Sequence, residues 1–438
     1  MFAHLLFPTR DVSYGNFNWN EPVQIDSRRL RRHECVARPT NMPANSQGPY
    51  TFVLDPGPSC INMSTIQLEA ECRILRGDGN ELTDADVVAP INSLGTTMWR
   101  RIEVKVDNVT VSRNSSENSH LASYIQTVLS CNSEAARTHL GTQLFNMDTA
   151  GAYDDATGAN AGFRQRFNMV SHSRVFMMSS PVHSDFLRAD NNLSPRRKLT
   201  ITFHRAKDEF ILMRPANVDQ DYKLVIRSLK LHYDRIENLA GNDPLLSERY
   251  ICPQNMVWKQ FIPAGSEAFD EKLLSEDKIP QKLVFGLVRS TAIEGAFHLN
   301  PFNFESFGVC SFQLMINGLP HPAEPLEFNF NANPPLIQNA YQYLCKNTGT
   351  YRTNGGCLID MSHFLSGGAF FPFDLSACPC NGLHFHRSEV GSLRVKIAFK
   401  ERLAQAVTLV ILTSHDAVLA FRAKHGNPLE IEGHEEVL

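Results

Sequence analysis

The sequence predicts an all-β protein made of two similar sandwiches in tandem, with short helices confined to the loops. Three observations carry this reading. Two-residue alternation of apolar and polar side chains recurs along the chain between turn residues. One hairpin start occurs twice, about half a chain apart. The elements around each copy follow in the same order.

The first hairpin is "RRIEVKVDNVTV", residues 100–111. Ile102, Val104 and Val106 alternate with Glu103 and Lys105, which suits a strand with one buried face, and Asp107-Asn108 supplies a tight turn. The second is "CSFQLMINGLPH", where Phe312, Leu314 and Ile316 alternate with Gln313 and Met315 before Asn317-Gly318. Upstream, "TIQLEAECRIL" alternates Ile66, Leu68, Ala70 and Cys72 against polar residues. "LTDADVVAPINSLGTTMW" offers Thr83 or Asp84 as the cap of a short helix. "SHLASYIQTVLSC" spaces Leu121, Tyr124, Ile125, Val128 and Leu129 as a helix of about three turns. In "YKLVIRSLKLHYDRI" the apolar face slips by one residue after Ile226, so a β-bulge is expected at Arg227-Ser228.

The second half repeats this order. "LIQNAYQYLC" corresponds to "LASYIQTVLSC", "FFPFDLS" to "HSDFLRA", "LRVKIAF" to "KLTITF" and "AVTLVILTS" to "YKLVIRSLK". A two-sheet sandwich closes the core of such a unit, and its common eight-stranded form is the jelly roll. The expected organisation is an N-terminal arm at 1–48, a first roll at 49–236, a linker at 237–250, a second roll at 251–425 and an acidic tail at 426–438.

Composition agrees. A chain of 438 residues is long for one domain. Its 42% hydrophobic and 20% charged residues support large cores, with 28 Phe against 3 Trp. The formal net charge of −4 argues against a protein whose whole surface grips nucleic acid. No run of 18 apolar residues marks a membrane helix, and "MFAHLLFPTRDVSYG" lacks the charged start and small-residue cleavage site of a secretory leader. The 10 scattered cysteines are then expected as reduced thiols, and the glycosylation patterns at Asn62, Asn108 and Asn114 as unmodified.

Three stretches resemble one family. They are "LEAECRILRGDGNELTDADVVAPINSLGTTMWRRIEVKVDNVTVS", "LNPFNFESFGVCSFQLMINGLPHPAEPLEFNF" and "GSLRVKIAFKERLAQAVTLVILTSHDAVLAF". They are similar to hexon-type major capsid proteins of adintoviruses, adomaviruses and Polinton-like elements, from about residue 50 to residue 421. The first 48 residues and the tail "PLEIEGHEEVL" fit the likeness poorly. The resemblance implies a double jelly roll, and a homotrimer whose six rolls form a pseudo-hexagonal tile. It further implies an icosahedral lattice around double-stranded DNA, penton and minor capsid proteins as partners, a place in the virion capsid, and assembly in the host nucleus or cytoplasm.

No catalytic signature is present: there is no phosphate-binding G-x-x-x-x-G-K loop, no G-x-S-x-G elbow and no H-E-x-x-H. "DGNELTDAD" departs from the EF-hand pattern at Leu82 and at the missing glycine. "TGTYRTNGG" reads as a surface loop. In "CPCNGLHFH", Cys378, Cys380, His384 and His386 are chemically able to ligate zinc. Their C-x-C and H-x-H spacings are tighter than usual structural sites, and a loop entering a strand is the preferred reading. No metal or cofactor is therefore assigned and no enzymatic activity is expected.

Arg28, Arg29, Arg31 and Arg32 form the one basic cluster singled out. It is either an arm contacting DNA or a neighbouring subunit, or a solvated face paired locally with Asp26 and Glu34. "RNSSENSH" and "DTAGAYDDATGANAG" read as exposed loops. "FNMVSHSRVFMM" and "LNPFNFESFG" are either intersubunit contacts or parts of their own core. A minor or penton-type capsid protein would need one roll, and a β-sandwich binding protein or cupin-type enzyme would need clustered histidines and carboxylates. The duplication discriminates against the first, and no such set stands out in the sequence for the second; both stay as alternatives.

Overall fold

The computed structural model describes residues 30–43, 46–112, 117–189, 192–238, 247–351, 355–376, 389–424 and 427–436. In chain order the first half contributes β1 (Leu30–Ala37), β2 (Tyr50–Leu54), β3 (Cys60–Arg76), β4 (Ala89–Pro90), β5 (Trp99–Val106), β6 (Val109–Thr110), β7 (Phe176–Pro181), β8 (Leu199–Arg205), β9 (Leu212–Met213) and β10 (Tyr222–Asn238). They make two antiparallel sheets, β1-β10-β3-β7 and β2-β8-β5-β6, with β4 and β9 as a separate ribbon.

The second half contributes β11 (Ser247–Ile251), β12 (Gln254–Ile262), β13 (Ala268–Lys278), β14 (Lys282–Arg289), β15 (Val309–Ile316), β16 (Leu319–Glu327), β17 (Phe370–Asp374), β18 (Val390–Phe399), β19 (Val407–His415), β20 (Val418–Lys424) and β21 (Asn427–Glu436). Its sheets are β12-β19-β14-β17 and β13-β18-β15-β16, and β11-β20-β21 form a third. Numbered within each half, eight strands take the order 1-8-3-6 in one sheet and 2-7-4-5 in the other, identically in both. Two jelly rolls of one topology follow each other in the chain.

Alternation explains the layers. Along β8, Leu199, Ile201 and Phe203 point into the first sandwich while Thr200 and Thr202 stay half-exposed. In the second roll the abundant phenylalanines fill the core: Phe312 stacks on Phe371 with ring centres 5.1 Å apart, and Phe285 meets Phe373 edge-on at 5.7 Å. The bulge in β10 sits between Ile226 and Ser228, which returns Leu229 and Leu231 to the buried face.

The two hairpins hold the same place in their sheets. Each joins its strands through two residues with positive φ, Asp107 (47°) with Asn108 (72°), and Asn317 (50°) with Gly318 (81°). That geometry matches the right-handed strand twist.

Several expectations are corrected. The stretch 1–48 is not all arm, because Leu30–Ala37 is the first strand of the first roll and pairs with Leu231–Asn238 of β10. Its residues 30–34 are exposed, so no alternation advertised it. The linker begins later than 237, since β10 runs to Asn238, and β11 occupies the end of the expected span. The tail contains β21, which pairs with β20. The counterpart of "FFPFDLS" is β7, not residues 183–189. There a single 3-10 turn, Phe186–Arg188, instead packs Phe186 against Tyr250 and Phe421 of the third sheet. Thr83 and Asp84 cap no helix: Asp86 accepts from the Thr83 N–H at 2.7 Å to close a turn, and the helix starts later, at Leu94–Thr97.

Candidate assembly surfaces

The helix Ser119–Ser130 lies at the seam between the rolls, and all of its residues are buried. An amphipathic helix with one partner would leave a polar face in water; this one touches β5 of the first roll and β12 of the second. Tyr124 stacks on Phe302 of the second roll, with centroids 4.0 Å apart and planes 8° off parallel. Phe210 meets both Phe302 and His120 edge-on. Burial pushes the His120 pKa down to about 3, so the ring is neutral. The equivalent second-roll helix, Gln338–Asn347, buries only Ala340 and Leu344. The duplicated elements have thus diverged, one central and one peripheral.

A polar knot locks the same seam. Arg166 donates to the carbonyls of Pro90 (2.8 Å) and Asn146 (2.6 Å) and to the Asp148 carboxylate (2.6 Å). Both side chains of the ion pair are 0% exposed. Asn300, from the second roll, donates to Asp148 at 3.1 Å, and its own N–H is held by Asp154 at 2.7 Å. The loop "DTAGAYDDATGANAG" is therefore not an exposed decoration: Asp148, Tyr153, Ala156 and Asn160 are buried. Of "RNSSENSH", residues 113–116 lie outside the described residues, while Ser119 and His120 are buried. The knot was readable in one respect, because Arg166 shares a helix face with Phe163 and Val170, and a charge on an apolar stripe needs a buried partner.

The two apolar loop segments separate. In "LNPFNFESFG", Phe302 and Phe304 are wholly buried within the chain. In "FNMVSHSRVFMM", Val170, Phe176 and Met178 point inward, whereas Met169, Val175 and Met177 are exposed, Met177 by 61%. Val175 and Met177 share the outer face at β7, an edge strand of its sheet. On β12, Trp258 and Phe261 are also exposed. Apolar residues on edge strands such as Met177 and Phe261 are what a subunit contact would cover.

The arginine cluster is divided. Arg28 and Arg29 lie outside the described residues. Arg31 is an exposed residue of β1, while Arg32 pairs with Asp234 at 2.9 Å and with Glu34 at 3.5 Å. Cys378, Cys380, His384 and His386 all lie outside the described residues. Among the described residues no group of three or more His, Cys, Asp or Glu is placed to hold a metal, and no helix is long and apolar enough to cross a membrane.

Two sandwiches of one topology, joined by a filled seam, define the double jelly roll. Solved structures with that fold match the chain over nearly its whole length. A chain of the Sputnik virophage aligns with a TM-score of 0.63 at 10% identity, covering 96% of this chain and 91% of its own. The mavirus major capsid protein gives 0.56 at 10% identity, covering 97% and 95%. The Faustovirus major capsid protein gives 0.51 at 8% identity, covering 91% and 92%. In sequence, an uncharacterized Caenorhabditis elegans protein is 24% identical over 375 residues, 81% of this chain and 87% of that one. No family model matches the chain. The structural neighbours are thus double jelly-roll capsid proteins, and this chain shares their fold.

Proposed function

We propose that the protein is a structural capsid subunit that self-associates as a homotrimer. Its six rolls form a pseudo-hexagonal tile, and the tiles build an icosahedral shell around double-stranded DNA. The observation that carries this reading is the pair of identically ordered rolls fixed by a buried seam. Three such chains in a closed ring present six near-equivalent edges. The exposed face of Met169, Val175 and Met177 is the proposed contact with the next chain. Stable obligate contacts bury on the order of 2,000 Å² or more and are more apolar than transient ones. Penton and minor capsid proteins would complete the shell. Arg28, Arg29, Arg31 and Arg32 are proposed to meet a neighbour or the genome on its inner side, and the protein would then sit in the virion capsid.

Native mass spectrometry at micromolar concentration tests this. A species near three times 49.2 kDa is expected, with hexagonal outlines in negative stain. A protein that stays monomeric across concentration and salt, with no particles formed, would overturn the reading.

A further inference from the structure

One apolar cavity opens inside the second roll, between its two sheets, where the edge strands β12 and β13 face each other. Its volume is about 220 Å³; Met256, Trp258, Leu273, Leu274, Leu393 and Ile411 give it a largely apolar wall, and Asp277, Lys278 and His415 are among the polar residues that also line it. The backbone explains the gap. The register of β13 against β18 shifts between Lys272 and Leu274 and again between Leu274 and Asp277. Irregularities of this kind bend a strand away from its neighbours. The Trp258 ring lies on the cavity side, on the same strand face as Met256 and Gln260, yet it remains 50% exposed. A large aromatic half in water beside an apolar cavity is surface that a further apolar segment would cover.

We propose that residues Met1–Phe7 of the same chain, "MFAHLLF", fill this cavity. Three arguments favour that occupant, and none depends on the capsid reading. The first is chemistry: Leu5, Leu6 and Phe7 are apolar residues in a row, with Phe2 close by, and they match the apolar part of the lining. The second is size, because about 150 Å³ takes a benzene-sized group, so 220 Å³ takes one phenyl ring and an aliphatic side chain.

The third is reach. Leu30 pairs with Asn238, where the chain leaves the first roll, and Gln254 at the cavity stands sixteen residues after Asn238. At ~3.3–3.6 Å per residue the cavity is then within roughly 60 Å of Leu30, and the twenty-three steps from Phe7 to Leu30 span roughly 75 Å.

Trp258 reports the docking. In a Trp19→Phe background the remaining tryptophans are Trp258 and Trp99, which is 1% exposed. Acrylamide quenching of the full-length chain should be weak. In the same chain carrying Leu6→Asp and Phe7→Asp the quenching constant should rise about twofold or more, and added MFAHLLF peptide should lower it again. A photo-crosslinker at position 6 should label β12 or β13 within one chain, leaving a 49.2 kDa species. Equal quenching with and without the two aspartates would overturn the proposal. So would protection that appears only as concentration rises, or crosslinks between chains, which would assign the cavity to a second copy.

Discussion

Asp107 and Asn317 do the same work in the two rolls. The Asp107 carboxylate accepts from the Lys198 N–H at 2.8 Å, and its own N–H donates to the Lys198 carbonyl at 3.0 Å. The Asn317 side-chain oxygen accepts from the Ser392 N–H at 2.8 Å, and its N–H donates to the Ser392 carbonyl at 2.9 Å. Each turn thereby ties its hairpin to the residues at the start of the neighbouring strand, β8 or β18. Asp107→Ala and Asn317→Ala should each lower stability by about 0.5–2 kcal/mol, measured as a shift in the urea midpoint. Asn317→Asp should retain most of it, since the accepting oxygen is kept.

The seam ion pair gives a stronger effect. Arg166→Met strands the Asp148 charge in a fully buried site, and should cost ~3–5 kcal/mol. Adding Asp148→Leu should recover part of that loss, because a buried pair is more easily replaced than halved. Denaturant unfolding of the two singles and the double measures the coupling. Simple additivity would contradict a buried pair.

Gly162 admits no side chain. A Cβ there would stand 2.4 Å from the Met147 carbonyl oxygen and 2.6 Å from that of Asn146, both backbone atoms that cannot turn aside. Gly162→Ala should cost about 1–3 kcal/mol through overpacking, although alanine favours helices elsewhere. A thermal midpoint equal to that of the parent would refute this.

Acid should loosen the protein through buried histidines. His120 is held down to about 3, chiefly by burial and then by the charge of Lys259, against an ordinary value of 6.5. His183 is also lowered, by burial first and then by Arg188. The unfolded chain takes up these protons first as pH falls. Stability is therefore complete above about 6.5 and declines toward 3, by about 1.4 kcal/mol per histidine for each tenfold rise in proton concentration. Urea midpoints measured from pH 8 to pH 4 should show this slope, and His120→Phe should reduce it.

The cysteines should all be reduced. Those at 35, 72, 131, 310, 345 and 357 are free thiols in the structure. Alkylation under denaturing, non-reducing conditions should modify all 10 in the chain, and two or more protected pairs would contradict it.

What the sequence made legible follows from the physics of each element. The hairpins, the β10 bulge and the helix Ser119–Ser130 were readable because periodicity and turn chemistry are local. β1 was not, because it is held by backbone pairing at a sheet edge and its exposed side chains carry no alternation. Nor was the inward turn of the 148–162 loop, whose partners Asn300 and Asn303 stand far along the chain. Arg31 and Arg32 were found as a cluster, but the pairing of Arg32 with Asp234 on the neighbouring strand is set in three dimensions. Trp258 and its cavity had no local signal, since the shifts in β13 that open it depend on its partner strand.

The filled seam also decides where bending is allowed. Tyr124 on Phe302 and Asn300 on Asp148 tie the two rolls together across the seam, so each chain is expected to move as a single stiff brick. If such bricks build the proposed shell, its curvature is expected to come from the joints between them. Adapting it to a larger or smaller radius would select changes on the outer edges, at residues such as Met177, and leave the middle of the brick untouched.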